Sequence, residues 1–330
     1  MFFRVSDKSK VRKILVISLS NIGDVVLTLP VVDILLRDFP NSTVSVVVGP
    51  KAESLLRDNP VLAEVIVLDK HQSRSALWSW VAELRRRKFD MIIDLRNSMI
   101  PLMLMARYMT PPEMRRVKGQ HMRRKHLARL RTVHHFADDN APCRCLTATA
   151  SDAGAVDALL GDSGPFVVMA PGSADQAKRW SPSGFAAVAK YVKSEYDLGI
   201  VFLGDRHDRE IAARITAALD VPVLDLCGRT TLSQSAEIVR RAAAAVVNDS
   251  AVLHLAGYHN IPTVALFGYT DPVRYGPWSE QRVIVTPEGT PLPKDSSTER
   301  KVAYIESIPP EAVISRLCYT DGRMRLVSDE

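Results

Sequence analysis

Residue types that staple or metallate a fold are scarce in this chain. Its four cysteines, Cys143, Cys145, Cys227 and Cys318, contain no Cys-x-x-Cys pair. That excludes a disulfide framework and the usual zinc spacing, and it points to reduced thiols; Cys143-Arg144-Cys145 is too tight for either. No Asp-x-Asp occurs anywhere, so a metal-bridged diphosphate site has no visible ligands, and neither metal nor cofactor is expected. GxGxxG, the P-loop, HExxH and GxSxG are all absent, which sets aside the dinucleotide, P-loop, metalloprotease and serine-hydrolase classes. Long apolar runs are missing too. Ile14–Leu19 is too short for a signal core and has no small-residue cleavage site after it. Met99–Met109 carries Arg107 and falls well short of the roughly 20 residues of a membrane span. No short-period repeat and no low-complexity tract appears. The expectation is a cytoplasmic chain without a targeting segment.

What the sequence does contain is an ordinary globular composition over 330 residues, 46% hydrophobic and 24% charged. That length is comfortable for two α/β domains. Short apolar runs alternate with amphipathic stretches. Lys13–Leu19, Thr43–Val48, Val65–Leu68 and Met91–Leu95 read as strands buried on both faces, with helical stretches at Lys51–Asp58 and Ser75–Arg87 and another from Asp24 onward. The rhythm weakens after Thr110 and restarts at Phe166–Ala170, followed by Gly199–Leu203, Ala244–Val247 and Thr263–Phe267. Helices are expected at Ser183–Glu195, His207–Leu219 and Leu232–Ala243, with a short last one at Pro310–Leu317, after a Pro-rich loop at Thr286–Thr298. This alternation predicts two parallel α/β sheets in series, residues 1–160 and 161–330. Ligands of such sheets bind beyond the carboxyl ends of the strands, so two of them facing each other would frame a cleft.

Charge is unevenly shared. Residues 1–160 hold 25 Lys+Arg against 16 Asp+Glu, a net of +9, and the remainder 18 against 21, a net of −3. Something anionic is therefore expected at the first half. Within 115–131 stand Arg115, Arg116, Lys118, Arg123, Arg124, Lys125, Arg129 and Arg131, with no acid and no Phe, Tyr or Trp. The missing aromatics argue against nucleic acid, since there is nothing for bases to stack on. A solvated basic face and a site for an anionic partner remain as readings.

Four segments after strands could carry chemistry. Ser18-Leu19-Ser20-Asn21-Ile22-Gly23-Asp24 sets a carboxylate at a helix start, as a macrodipole partner or as a general base. Ala170-Pro171-Gly172-Ser173 through Lys178-Arg179-Trp180 gathers a hydroxyl, backbone N–H groups and a lysine near a helix start, a combination that suits phosphate. Asn248-Asp249-Ser250-Ala251 leads to His254; Asp249 or Ser250 could be a plain N-cap and His254 a plain buried histidine. Phe267-Gly268-Tyr269-Thr270-Asp271-Pro272 is again a loop directly after a strand.

Together these segments resemble glycosyltransferase family nine, the ADP-heptose:lipopolysaccharide heptosyltransferases. The resemblance runs in order from the Ile14–Ser18 strand with Gly23-Asp24 and Leu29-Pro30, through Ala170-Pro171-Gly172, Lys178-Arg179-Trp180, Asn248-Asp249-Ser250-Ala251 and His254-Leu255-Ala256. It continues through Phe267-Gly268 and Thr270-Asp271-Pro272 to Ile308-Pro309-Pro310-Glu311-Ala312-Val313. The resemblance implies two Rossmann-like domains in the GT-B arrangement and an inverting, metal-independent transfer of a heptose from ADP-heptose to an anionic lipopolysaccharide inner-core acceptor. It implies Asp24 as the catalytic residue, and donor contacts from Ser173, Lys178, Thr230, Asp249, Ser250, Ala251 and His254. The family's donor-binding acid falls in the loop Gly204-Asp205-Arg206-His207, where this chain departs from the pattern by setting Arg206 at the acidic position. Asp94-Leu95-Arg96-Asn97-Ser98 resembles the family's acceptor-side loop, which makes Asp94, Arg96 and Asn97 acceptor-side candidates beside Arg123 and Arg124. Peripheral contact with the inner membrane follows from such an acceptor. Two readings compete: an epimerase of the UDP-N-acetylglucosamine type on the same architecture, and a non-catalytic nucleotide binder.

Overall fold

A computed structural model describes residues 4–113 and 119–327. The chain divides into two compact units, 1–149 and 150–330. The first unit begins with β1 (Lys13–Ile17), α1 (Ile22–Val26), α2 (Leu29–Asp38), β2 (Thr43–Val48), α3 (Glu53–Leu56) and β3 (Glu64–Val67). It continues with α4 (Arg74–Arg86), β4 (Met91–Asp94), α5 (Ile100–Leu104), β5 (Tyr108–Met109) and α6 (Met122–Arg131). Its sheet runs β3-β2-β1-β4-β5 and is parallel throughout. β1, β2 and β4 are buried almost end to end, as their unbroken Ile, Leu and Val runs require. Leu15, Ile17, Val47, Ile66 and Ile92 pack with Val81 and Leu84 of α4 into one core.

The second unit holds α7 (Ala150–Leu160), β6 (Phe166–Ala170), α8 (Pro182–Tyr196), β7 (Gly199–Phe202), α9 (Arg209–Ala217), β8 (Leu224–Asp225), α10 (Leu232–Arg241) and β9 (Ala244–Asn248). Then come α11 (Ala251–Tyr258), β10 (Thr263–Leu266), α12 (Pro272–Tyr275), β11 (Arg282–Val285), α13 (Thr298–Glu306), α14 (Pro310–Ile314) and a hairpin of β12 (Leu317–Thr320) with β13 (Arg323–Leu326). Its sheet runs β11-β10-β9-β6-β7-β8, again parallel. Its core joins Val167, Met169, Phe202 and Val246 with Trp180, Phe185 and Val188.

Both sheets have the doubly wound order in which the chain reverses direction beside the first strand. Reversal falls between β1 and β4 in one unit and between β6 and β9 in the other. Loops leaving these strands diverge there, opening a crevice at the strands' carboxyl ends.

The expected boundary at 160/161 shifts to 149/150. α7 belongs with the second unit, where Ser233 Oγ donates to Asp152 at 2.8 Å and Arg241 pairs with Asp157. The first helix starts at Ile22 rather than Asp24, and a hairpin follows the last helix. Edge strands β5, β8 and β11 and helices α5–α7, α12 and α13 carried no clear signal in the sequence.

Candidate functional site

At the carboxyl end of β6 the chain passes through Pro171 and Gly172 to Ser173. A Cβ on Gly172 would stand 2.1 Å from the Asp208 carboxyl carbon, so only glycine lets this loop lie against the loop after β7. Asp208 is buried there, accepts the Asp205 N–H at 2.9 Å, and has its pKa raised by burial. Arg179 bridges the two loops, donating to the Ser173 carbonyl at 2.8 Å and lying 3.7 Å from Asp208.

β6 and β9 are joined by side chains as well as by the ladder. Asn248, fully buried, donates to the Pro171 carbonyl at 2.8 Å and accepts the Trp180 N–H at 3.1 Å. Ser173 Oγ donates to the Asp249 carbonyl at 3.2 Å, and Lys178 Nζ meets Asp249 Oδ2 at 2.7 Å. Ser173, Lys178 and Asp249, which sequence placed 76 residues apart at most, thus form one cluster. Ser250 caps α11 by position but makes no side-chain cap bond, and Ala251 opens the helix with His254 buried in its first turns. Thr230 follows the carboxyl end of β8 and shares a 2.8 Å bond with Ser235. Every donor candidate therefore sits at the same end of one sheet.

Two buried hydroxyl oxygens at this end, Ser250 Oγ and Thr270 Oγ1, have no hydrogen-bond partner. They follow neighbouring strands, β9 and β10. A buried hydroxyl without a partner costs about 1–3 kcal/mol, so each of these two is expected to bond to a ligand or to an ordered water. A separate cavity of about 310 Å³ opens beside the same loop, lined by Gln176, Trp180, Glu210, Arg214 and Glu306 among others, and by none of the donor candidates. In the loop after β7, Asp205 Oδ1 accepts the His207 N–H at 2.7 Å; Arg206 is exposed.

In the first unit, Asp24 lies in the first turn of α1, part-exposed, with Asn21 Nδ2 donating to its Oδ2 at 3.1 Å. Thr28 fixes α1 against β1 through a 2.7 Å bond with Ser18, while giving its own proton to the Val25 carbonyl at 2.6 Å. Gly49, after β2, stands so close that a Cβ would lie 2.7 Å from Ser20 Cα. Arg96 donates to Ser20 Oγ and is half-buried, with its pKa lowered by that burial and partly restored by Asp94. Arg96 thereby joins the loop that carries Asp24.

Asp94 does not fit a ligand-contacting role. It is 1% exposed, and its carboxylate accepts the N–H groups of Arg96 and Ser98 and the Ser98 hydroxyl. It shapes the loop that presents Arg96. Asn97 takes a left-handed conformation (φ 60°) and pins Glu113 through its N–H at 2.7 Å.

The basic stretch is only in part a surface. Arg115, Arg116 and Lys118 lie outside the described residues. Arg129 is buried, binding the carbonyls of Asp94 (2.9 and 3.2 Å) and Pro111 (2.6 Å). Lys125 pairs with Glu113 at 3.3 Å and Arg131 with Asp139. Arg123 donates to the Asp139 carbonyl at 3.1 Å, and Arg124 is exposed.

Each unit is a doubly wound, Rossmann-like sheet with polar side chains gathered at the carboxyl ends of its strands. Residues 107–304 match the model of glycosyltransferase family 9 (heptosyltransferase), and the chain belongs to that family. Lipooligosaccharide heptosyltransferase 2 of Haemophilus influenzae is 28% identical over 168 residues; that match spans 48% of each chain, so about half the relative's length. Two solved structures share the fold across nearly their whole length: a glycosyltransferase of family 9 from Veillonella parvula (TM-score 0.78, 23% identity, 94% of this chain and 97% of that one), and ADP-heptose lps heptosyltransferase II of E. coli (TM-score 0.72, 22% identity, 92% and 96%). Family membership decides for the transferase over the epimerase and the non-catalytic binder.

Proposed function

We propose that this enzyme transfers a heptose from ADP-heptose to an anionic inner-core lipopolysaccharide acceptor, with inversion at the anomeric carbon and without a metal. One observation carries the donor side: Ser173, Lys178 and Asp249 converge at the carboxyl ends of β6 and β9 in a family 9 chain, beside the unpartnered hydroxyls of Ser250 and Thr270. Lys178 supplies the charge that a departing diphosphate needs, and the amides opening α11 (Ala251 onward) add the positive end of a helix. Thr230, from the β8 loop, and His254 complete the donor contacts. The names of the relatives support heptose as the sugar and lipopolysaccharide as the acceptor class.

Asp24 serves as the general base that takes the proton of the attacking acceptor hydroxyl. Arg96, Asn97, Arg123 and Arg124 make up the acceptor side, with Asp94 holding the Arg96 loop. Among the described residues no helix is long and apolar enough to cross a membrane; acceptor contact at the inner membrane is peripheral in this reading.

The reading is tested with ADP-heptose and a lipopolysaccharide truncated before its heptoses. Mass spectrometry and NMR of the product should show one added heptose of inverted anomeric configuration, formed at the same rate in EDTA. Retention of configuration, or loss of turnover in EDTA that magnesium or manganese restores, would overturn the mechanism; transfer only from another nucleotide sugar would overturn the donor.

A further inference from the structure

Tyr269 lies in the loop after β10, at the position that the family resemblance steps over between Gly268 and Thr270. Its hydroxyl donates to Asp175 Oδ2. The other carboxylate oxygen of Asp175 accepts the Ala177 N–H at 3.0 Å, and the Asp175 carbonyl accepts the Lys178 N–H at 3.0 Å. Asp175 is thus the N-cap of the single 3-10 turn, Gln176–Lys178, that ends in the donor-site lysine. α13 adds Lys301, whose ammonium stands 4.5 Å from the centroid of the Tyr269 ring.

A lone 3-10 turn has poor hydrogen-bond geometry and little stability of its own. Its cap is one of the things that hold this one, beside the burial of Ala177 and the Lys178–Asp249 pair, and the cap is itself held by a hydroxyl 94 residues further along the chain. Burial works against the Asp175 carboxylate, yet the bonds from Tyr269 and Ala177 outweigh it and hold its pKa below the ordinary value. Burial and the carboxylate push Tyr269 up to about 12, so the phenol remains a donor at neutral pH. Lys301 over the ring adds a cation–π contact and a positive charge near Asp175.

We propose that Tyr269 is a positioning residue for Lys178: acting through Asp175, and with its ring held by Lys301, it sets the turn so that the donor's diphosphate meets a lysine already in place. This rests on the reading of Lys178 as the diphosphate's partner. Pre-setting the turn lowers the ordering cost at binding and acts on the charged part of the donor alone.

Calorimetric titration of the full chain with ADP and with adenosine tests it, on wild type, Tyr269→Phe, Lys178→Met and the double variant. Tyr269→Phe should weaken ADP about fivefold, the loss of one ordinary hydrogen bond, while adenosine affinity stays at its wild-type value and the melting temperature falls by no more than a few degrees. Donor KM should rise by a similar factor, with kcat less affected. In the Lys178→Met background the same change should add nothing, because residues acting as a unit are non-additive. Asp175→Asn should reproduce the pattern, and Lys301→Met a weaker form of it. Equal losses for ADP and adenosine, a full additional loss without Lys178, or no loss at all would each overturn the proposal. Wild type binding ADP no better than adenosine, or Lys178→Met binding ADP normally, would overturn the donor reading itself.

Discussion

At Asp24 a helix-start role and a base role forecast different experiments. The carboxylate stands in the first turn of α1, where the macrodipole favours it, but its bond is to the Asn21 side chain and not to a backbone N–H. A helix-start role therefore leaves Asp24→Asn with only a dipole loss, a few tenths to about 1 kcal/mol, and near-normal rate. A base role leaves fold and ADP affinity intact and lowers kcat by roughly 10²–10⁴. We expect the second outcome; melting temperature, ADP affinity and kcat on this one variant check it, and a stable variant with near-normal kcat returns Asp24 to the helix start. Candidates of this kind stand out in the sequence because their motifs are contiguous: Gly23-Asp24, Lys178-Arg179-Trp180 and Asn248-Asp249 each fall within a few positions. Tyr269, Lys301 and Asp208 were not, because their roles arise from partners that the fold brings from loops far away in sequence. Asp94 misled for the opposite reason. A carboxylate after a strand looks ready for a ligand until the backbone turns back and occupies it.

Among elements, the buried central strands were read nearly to the residue, since continuous Val and Ile runs admit little else. The two-residue strands β5 and β8 carry too few side chains for any period to show, and α6 hid behind its charge. That helix buries His126, Leu127, Arg129 and Leu130, with Arg129 tying it to the end of β4. His126 is 1% exposed, neither ring nitrogen has a hydrogen-bond partner, and burial with Lys125, Arg129 and His121 nearby lowers its pKa to about 3. His259, at the end of α11, is lowered to about 4, mainly by burial. Unfolded histidine takes up its proton near pH 6.5; these two refuse it until far lower. The unfolded chain then binds more protons, so stability rises with pH across this window and falls as pH drops from about 6.5 toward 3–4. Thermal melts should show the midpoint falling between pH 7 and pH 5, and His126→Leu should make that fall shallower. An unchanged slope in His126→Leu would mean that α6 opens to solvent before the rest of its unit.

For the whole molecule, the boundary found in the structure sharpens the charge division. Moving Asp152 and Asp157 to the second unit leaves 25 cations against 14 acids in the first, a net of +11, and 18 against 23 in the second, a net of −5. In the proposed reading the second unit holds the donor's diphosphate and the first the anionic acceptor, and the division of charge keeps the attraction for the acceptor on the first unit. Yet the acid-free stretch 115–131 is less bare in space than in sequence: Glu113 and Asp139 neutralise Lys125 and Arg131, and Arg129 is spent inside. Of the described cations there, Arg124 is exposed and Arg123 half-buried, and in the proposed reading both belong to the acceptor side. Attraction between exposed charges is screened over about 10 Å at 0.1 M salt, so their contribution should be visible as an ionic-strength effect on the acceptor alone. Reversing both, Arg123→Glu with Arg124→Glu, should raise the acceptor KM severalfold at low salt. It should also flatten the rise of that KM with added salt, and leave the donor KM where it was. Steady-state kinetics at a series of sodium chloride concentrations, varying each substrate in turn, reads all three. A shift confined to the donor KM, or an acceptor KM whose salt dependence is unchanged, would move the anionic partner away from α6 and leave Arg96, beside the Asp24 loop, as the cation to test next.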